Sequence, residues 1–294
     1  MEPQLKKLFI FGFGFSAQAI AAKAKPDFTE ICGTARSEEK ISRIRADSLG
    51  ACLFDGEKFS EELKHHLVDT THLLISIGPG EADPVLAIMR DQLSDLCPNL
   101  QWIGYLSTVG VYGNHDGAWV DEETKPKPVS QRSIWRMNAE NGWTEKADNV
   151  YVPLGIFRLS GIYGPGRNAF VTIEKGNSRR LVKPGQVFNR IHREDIGTAV
   201  SNAMRGNIGG IFNITDNEPA PPQDVVTYAH ELMGKEPPPE IDFKTADITP
   251  MARSFYGENK RVSNAKSKAM LGMDYAWPDY RTSLKRMWDE GNWH

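Results

Sequence analysis

Leu8-Phe9-Ile10-Phe11-Gly12-Phe13-Gly14-Phe15-Ser16-Ala17 is the stretch on which the reading of this chain turns. Leu8 to Phe11 is a short apolar run and reads as a strand. Ser16 to Ala24 is alanine-rich and reads as a helix. Between them lies GxGxxA. Gly12 permits the tight turn, Gly14 leaves space for a pyrophosphate to approach the backbone, and Ala17 lets the helix pack close to the strand. The start of the helix favours an anion. A strand before the glycines and a helix after them are the context this motif demands. Gly12, Gly14, Phe15, Ser16 and Ala17 are therefore expected at a bound dinucleotide.

Outward from this turn, strand and helix patterns alternate. Thr29 to Thr34, Cys52 to Asp55, Thr71 to Ile77 and Trp102 to Leu106 read as strands. Glu38 to Leu49, Ser60 to Leu67 and Pro84 to Leu96 read as helices. The alternation predicts an α/β fold with a doubly wound parallel Rossmann sheet in the order 3-2-1-4-5-6, possible extra strands, and helices on both faces. After Ser107 the pattern loosens. Gly113 to Pro128 reads as a polar loop, Ser133 to Lys146 as a helix and Gly155 to Leu159 as a sixth strand. Beyond Gly161 a long irregular stretch precedes a helix at Asp195 to Arg205, a strand at Ile211 to Thr215 and a helix at Pro222 to Met233. Glu236 to Glu240 reads as a linker or loop. Lys266 to Leu271 and Tyr280 to Trp288 read as closing helices. The expected organisation is a dinucleotide-binding domain over residues 1–160, with returning segments near 187–216, and a small C-terminal α+β substrate lobe over most of 161–294.

The end of the second strand distinguishes the two nicotinamide cofactors. NAD sites place an acid there for the ribose hydroxyls. This chain has Thr34-Ala35-Arg36-Ser37 instead. Arg36 offers a planar cation for a 2′-phosphate and Ser37 a hydroxyl, so NADP is expected over NAD. Asp55 follows the third strand, and Ile77 and Gly78 follow the fourth. Such strand ends meet the adenine and the nicotinamide-side ribose. Asp55 reads equally as a turn aspartate before Gly56.

Composition narrows the partners. The chain has 294 residues, 40% apolar and 25% charged, which excludes global disorder. Lys plus Arg is 35 against 38 Asp plus Glu, a formal charge of −3, with no footprint for nucleic acid. No apolar run approaches the ~20 residues of a membrane helix. A basic pair precedes the first apolar run as in a signal peptide, but Gly12 and Gly14 interrupt that run. Cys32, Cys52 and Cys97 form no CxxC pair and fit buried thiols in a reducing compartment, so a cytoplasmic protein is expected. The histidines have no partners at metal spacing, and no metal site is expected.

Further stretches carry a family resemblance. Leu106-Ser107-Thr108-Val109-Gly110-Val111-Tyr112-Gly113, Arg158 to Arg167 (RLSGIYGPGR), Ile191-His192-Arg193-Glu194-Asp195-Ile196, Phe212-Asn213-Ile214 and Lys260 to Asn264, together with the N-terminal turn, resemble the extended short-chain dehydrogenase/reductases of the epimerase/dehydratase type. The resemblance implies a Rossmann domain, a small C-terminal lobe and an active site between them. It also implies three catalytic groups: a Ser or Thr after the fifth strand, a Tyr that passes a proton, and a Lys four residues later that holds the nicotinamide ribose. Thr108 takes the first position. Glu140 resembles the family's glutamate eight residues after its tyrosine, and counting back puts Arg132 in the Tyr position and Arg136 in the Lys position. Arginine keeps its proton, so Arg132 cannot serve as the donor, while Arg136 can still hold ribose hydroxyls or a phosphate. This resembles the atypical branch of the family. Tyr112 and Tyr163 are the candidate substitute acids, with packing and turn roles as the competing reading.

Arg158, Arg167, Arg179, Arg180, Arg190 and Arg193 fall in the segment that should line the substrate cleft, and an anionic ligand is expected there. Arg167, Tyr163 and Arg190 are the candidate substrate contacts. His192 reads as structural, Asp195 and Asn264 as helix caps, and Trp277, Trp288 and Trp293 as packing of the small lobe. The expected function is an NADP-binding, epimerase/dehydratase-like oxidoreductase, monomer or homodimer, acting on a small polar, possibly anionic or sugar-derived substrate. The alternative is a catalytically inactive NADP-binding sensor or regulator.

Overall fold

In the computed structural model, which describes residues 6–294, the first half runs β1 (Lys7–Phe11), α1 (Phe15–Ala24), β2 (Glu30–Ala35), α2 (Glu38–Ala46), β3 (Gly50–Leu53), α3 (Glu61–Val68), β4 (His72–Ile75), α4 (Pro84–Met89), α5 (Leu93–Leu96), β5 (Trp102–Thr108), β6 (Trp119–Val120), α6 (Gln131–Asn149) and β7 (Leu154–Leu159). The second half runs β8 (Gly161–Tyr163), α7 (Ala169–Glu174), β9 (Arg180–Val182), β10 (Arg190–His192), α8 (Arg193–Arg205), β11 (Gly210–Ile214), α9 (Pro222–Leu232), β12 (Glu240–Asp242), α10 (Pro250–Phe255), β13 (Arg261–Val262), α11 (Ala265–Leu271) and α12 (Tyr280–Asp289).

Seven strands form one parallel sheet in the order β11-β7-β5-β4-β1-β2-β3. This is the expected doubly wound order with a seventh strand, β11, contributed by the second half. The uninterrupted apolar run of β1 follows from burial on both faces. Leu8 and Ile10 pack into one layer with Ile20, Ala199 and Phe212. Phe9 and Phe11 point the other way, into a layer with Leu63, Met89 and Trp143. α8 packs along α1, so the second half returns to the sheet twice. A separate core of Phe170, Trp277, Tyr280, Leu284, Met287 and Trp293 holds the small lobe.

Several local expectations change. The helix expected over Pro84 to Leu96 is two, because Gln92 leaves helical geometry (φ −127°) and turns Leu93 and Cys97 into the core. The helix from Glu38 stops at Ala46, and Ser48 takes a positive φ of 60°. The loop from Gly113 to Pro128 contains β6, paired in parallel with β13. Asp195 does not cap α8. His192 is the cap, its Nδ1 accepting the Glu194 N–H, and the Asp195 carboxylate accepts the N–H groups of Ala276 and Trp277. Asn264 occupies the cap position of α11 without capping through its side chain, which donates to the Thr215 carbonyl.

Candidate functional site

The carboxyl ends of β4, β5 and β7 and the first turn of α1 open into a cavity of about 1040 Å³ that continues under α6, α10 and the small lobe. The glycine turn lies beside it, next to Ser16. Gly12 has φ +88°, and a Cβ there would lie 2.7 Å from Ile77 Cγ1. Thr34 pins the turn: its Oγ1 accepts the Gly12 N–H at 2.9 Å and its carbonyl the Phe13 N–H at 2.8 Å. Gly14 is exposed, and a Cβ there would meet nothing within 4 Å. It occupies the N-cap of α1 with no side chain to accept the helix's first N–H groups. Ser16 is buried and lines the cavity, while Ala17 is buried in the core beneath. A cradle walled by Ile77, open at Gly14 and lacking a capping side chain fits a dinucleotide's pyrophosphate.

Arg36 is exposed just beyond β2 and makes no ion pair or side-chain hydrogen bond among the described residues. Ser37 starts α2, but its hydroxyl does not cap it. Both side chains are thus uncommitted at the position where a 2′-phosphate is expected. Asp55 is different. It is exposed, lies outside the cavity lining and accepts the Glu57 N–H at 2.9 Å, a bond that holds its carboxyl below the usual range. That bond is the one a turn aspartate makes. Ile77 packs on the glycine turn, and Gly78 lines the cavity 3.3 Å (from an added Cβ) from Arg136 Nη2.

The opposite wall is built on β5 and α6. Thr108 ends β5 and lines the cavity. Its Oγ1 accepts the Gly110 N–H at 3.1 Å, and its hydroxyl proton has no protein acceptor among the described residues. Ser130 caps α6 by accepting the Ser133 N–H, which brings Arg132 and Arg136, one turn apart, to the cavity. Arg132 is exposed, its guanidinium 5.2 Å from the centre of the Phe255 ring on α10. Arg136 is anchored: it donates to the Leu106 carbonyl at 2.5 Å and lies over the Tyr105 ring.

Beneath this wall Arg158 and Glu140 form a 2.7 Å ion pair, each 2% exposed, and Ser107 donates a short hydrogen bond to the same carboxylate. Arg158 lies 4.9 Å from the centre of the Tyr112 ring. Tyr112 is fully buried, outside the cavity lining, and donates to Asn213 Oδ1 at 2.8 Å. Burial raises its pKa. The structure therefore corrects its candidacy as substitute acid: its hydroxyl is committed within the core.

The far end of the cavity carries Tyr163 and Arg190. The Tyr163 hydroxyl is buried with no hydrogen-bond partner, and burial raises its pKa. Arg190 donates through Nη1 to the carbonyls of Phe188 and Ala220. Asp216 faces it with one unpartnered buried oxygen and a pKa raised well above its ordinary value by burial. Of the remaining arginines expected in the cleft, only Arg167 lines it. Arg179 donates to the Asp247 carbonyl, Arg180 pairs with Glu240, and Arg158 is in the core. Sequence reading missed Ser133, Tyr256 and Lys260 in the lining. Lys260, noticed only as part of a family stretch, is buried and donates to the Gly113 carbonyl and to Glu258. Its distance in sequence from Gly113 left no signal of the contact.

Among the described residues, no three His, Cys, Asp or Glu side chains gather as metal ligands, and no helix is long and apolar enough to cross a membrane.

No protein-family model matches the chain, and no curated protein matches it. Solved structures do. A functionally unknown conserved protein from Silicibacter pomeroyi is 44% identical, with 98% of this chain and 100% of that one covered and a TM-score of 0.88. The chain belongs to one family with that protein. UDP-glucuronic acid 4-epimerase from Bacillus cereus, in complex with NAD, is 17% identical over 96% of each chain, with a TM-score of 0.76. A human epimerase family protein with NADPH is 15% identical over 96% of this chain and 99% of that one, with a TM-score of 0.70. The fold is accordingly that of the extended short-chain dehydrogenase/reductases of the epimerase/dehydratase type.

Proposed function

We propose that this protein is an NADP-preferring, epimerase/dehydratase-like oxidoreductase acting on a small anionic substrate, with Arg132 and Arg136 in place of the usual tyrosine and lysine. One observation carries the reading: a single cavity joins Ser16, two residues beyond Gly14, to Thr108, Arg132, Arg136, Arg167 and Arg190. Gly12, Gly14 and Ser16 would hold the pyrophosphate, Arg36 and Ser37 the 2′-phosphate, and Gly78 and Arg136 the nicotinamide ribose. A bound nicotinamide supplies hydride transfer. The chain's residues do the rest. Thr108 offers its free hydroxyl proton to a substrate oxygen. Arg132 and Arg167, exposed and with guanidinium groups that make no protein hydrogen bond among the described residues, recognise negative charge. Arg136, tied to the Leu106 carbonyl, holds its guanidinium where the family's lysine would stand.

Arg132 stays protonated and Tyr112 is buried, so neither exchanges a proton with a ligand in the cavity. A hydroxyl of the cavity wall or a water must do so in any redox reaction. The same facts support the sensor reading, in which the cavity binds NADP without turnover. Loss of NADPH fluorescence is the test, with a panel of anionic aldehydes, ketones and nucleotide sugars. Substrate-dependent decay supports the enzyme. NADPH-induced stabilisation without decay for any substrate supports the sensor.

A further inference from the structure

We propose that Arg193, with Arg167 beside it, forms a cationic clamp on the dinucleotide's pyrophosphate, reaching from the second half of the chain across the glycine turn. The inference rests on the dinucleotide reading above and concerns Arg193, which that reading leaves without a role, and a second role for Arg167. Phe15 follows Gly14 and begins α1. Its ring is covered by two cations: the Arg193 guanidinium lies 4.5 Å and that of Arg167 5.8 Å from its centre. Neither makes an ion pair or a side-chain hydrogen bond to protein among the described residues. A half-buried arginine with no acceptor is unusual, since five donors are left without direct protein partners. Burial lowers its pKa, and only the neighbouring Glu194 opposes that shift. Glu194 is itself engaged, accepting from Trp277 Nε1 at 3.2 Å.

The surroundings fix where the guanidinium lies. Arg193 is the first residue of α8, which packs along α1 and so brings its own start near the start of α1. Gly164 makes room for its stem: a Cβ there would come within 2.9 Å of Arg193 Cγ and 3.0 Å of Cδ. Among the described residues, no carboxylate pairs with the head group. His192, next in sequence, stacks on Trp277 with ring centres 3.8 Å apart, and burial with the nearby Arg193 and Arg286 pushes its pKa down to about 3. The neighbourhood is therefore cationic, with a neutral histidine, and abuts a turn whose geometry already fits a doubly charged group. Most such turns rely on backbone N–H groups and the helix start alone. Here two side chains would add charge-assisted contacts from the opposite half of the molecule. Arg167 also lines the cavity, so it stands where cofactor and substrate meet.

The test measures binding rather than turnover, by calorimetry with NADPH and with NADH, which carry the same pyrophosphate. Arg193→Gln should weaken both by a similar factor, roughly tenfold, as expected for one lost charge-assisted contact. Arg193→Lys should recover most of the loss, and Arg167→Gln should show a smaller loss of the same pattern. The melting temperatures without ligand should stay near that of the wild type, because neither guanidinium is bonded to protein. Unchanged affinities in Arg193→Gln would overturn the clamp while leaving the dinucleotide reading intact. A loss confined to NADPH would also overturn it, placing Arg193 at the 2′-phosphate. If the wild-type chain binds neither NADPH nor NADH, the underlying reading fails and the clamp with it.

Discussion

The two walls of the cavity are built by opposite means. The cofactor side is made of backbone and small residues: Ser16 in the cavity lining and, next to it, a glycine with positive φ and an uncapped helix start. The substrate wall is made of long side chains, Arg132, Arg167, Arg190, Tyr163 and Tyr256, some free and some tied to carbonyls. A backbone cradle tolerates only its own geometry, so its sequence is constrained at a few adjacent positions. A side-chain wall can exchange one residue type for another and still hold a ligand. This difference is consistent with the proposed replacement of the family's Tyr and Lys by Arg132 and Arg136 beside a retained glycine turn.

The sharpest way to break the comparison is at the cradle. Gly14→Val should lower affinity for both dinucleotides by roughly a hundredfold or more, since it removes two charge-assisted contacts at once. Its melting temperature should hardly change, because a Cβ there meets nothing within 4 Å, the residue is exposed and its φ is −101°. Cofactor affinity unchanged in a folded Gly14→Val protein would remove the cradle from the account.

Support beneath the substrate wall should show itself as stability. Arg158→Met leaves the Glu140 carboxylate unpaired in the core, and loss of one partner of such a pair costs about 3–5 kcal/mol. Denaturant unfolding checks this. A loss below about 1 kcal/mol, the range of surface pairs, would mean that the pair does not support α6 and β7.

A third expectation concerns acid. His192 is buried, with its pKa pushed down to about 3 from an ordinary 6.5. The folded chain holds it neutral while the unfolded chain protonates it below 6.5. Its contribution to stability is therefore present at neutral pH and is lost as pH falls from 6.5 towards 3. The melting-temperature gap between wild type and His192→Gln should narrow over that interval. A constant gap would mean that His192 titrates normally.

A smaller effect is expected at Arg132. Arg132→Lys should raise KM by roughly tenfold for an anionic substrate through the lost planar fork, with both limbs of the pH–rate profile unmoved. A limb that shifts would place the proton donor in contact with Arg132.

Legibility in the sequence follows the same division. The order of the sheet and the glycine turn could be read because local patterns encode them: apolar runs of four residues, glycines at fixed spacing, helices at the right distance. The seventh strand was visible as Ile211 to Thr215, although its place beside β7 depends on a contact across more than fifty residues. The substrate wall was legible only in part. Arg167 and Arg190 fall where expected, but Arg179 and Arg180 turn to Asp247 and Glu240, partners distant in sequence. Tyr112 read either as a candidate acid or as packing, and the Asn213 bond and Arg158 face that bury it come from residues distant in sequence. Tyr256 and Lys260 reach the cavity from the far end of the chain with no periodic signal.

The central claim, that this cavity is an NADP site beside an anion-recognising wall, is tested most directly at Arg36. Calorimetric titration of NADPH and NADH should give a preference for NADPH of roughly tenfold or more, the worth of one charge-assisted phosphate contact, and Arg36→Ala should abolish that preference with little change for NADH. Equal affinities in the wild type, or a preference that survives in Arg36→Ala, would contradict the account.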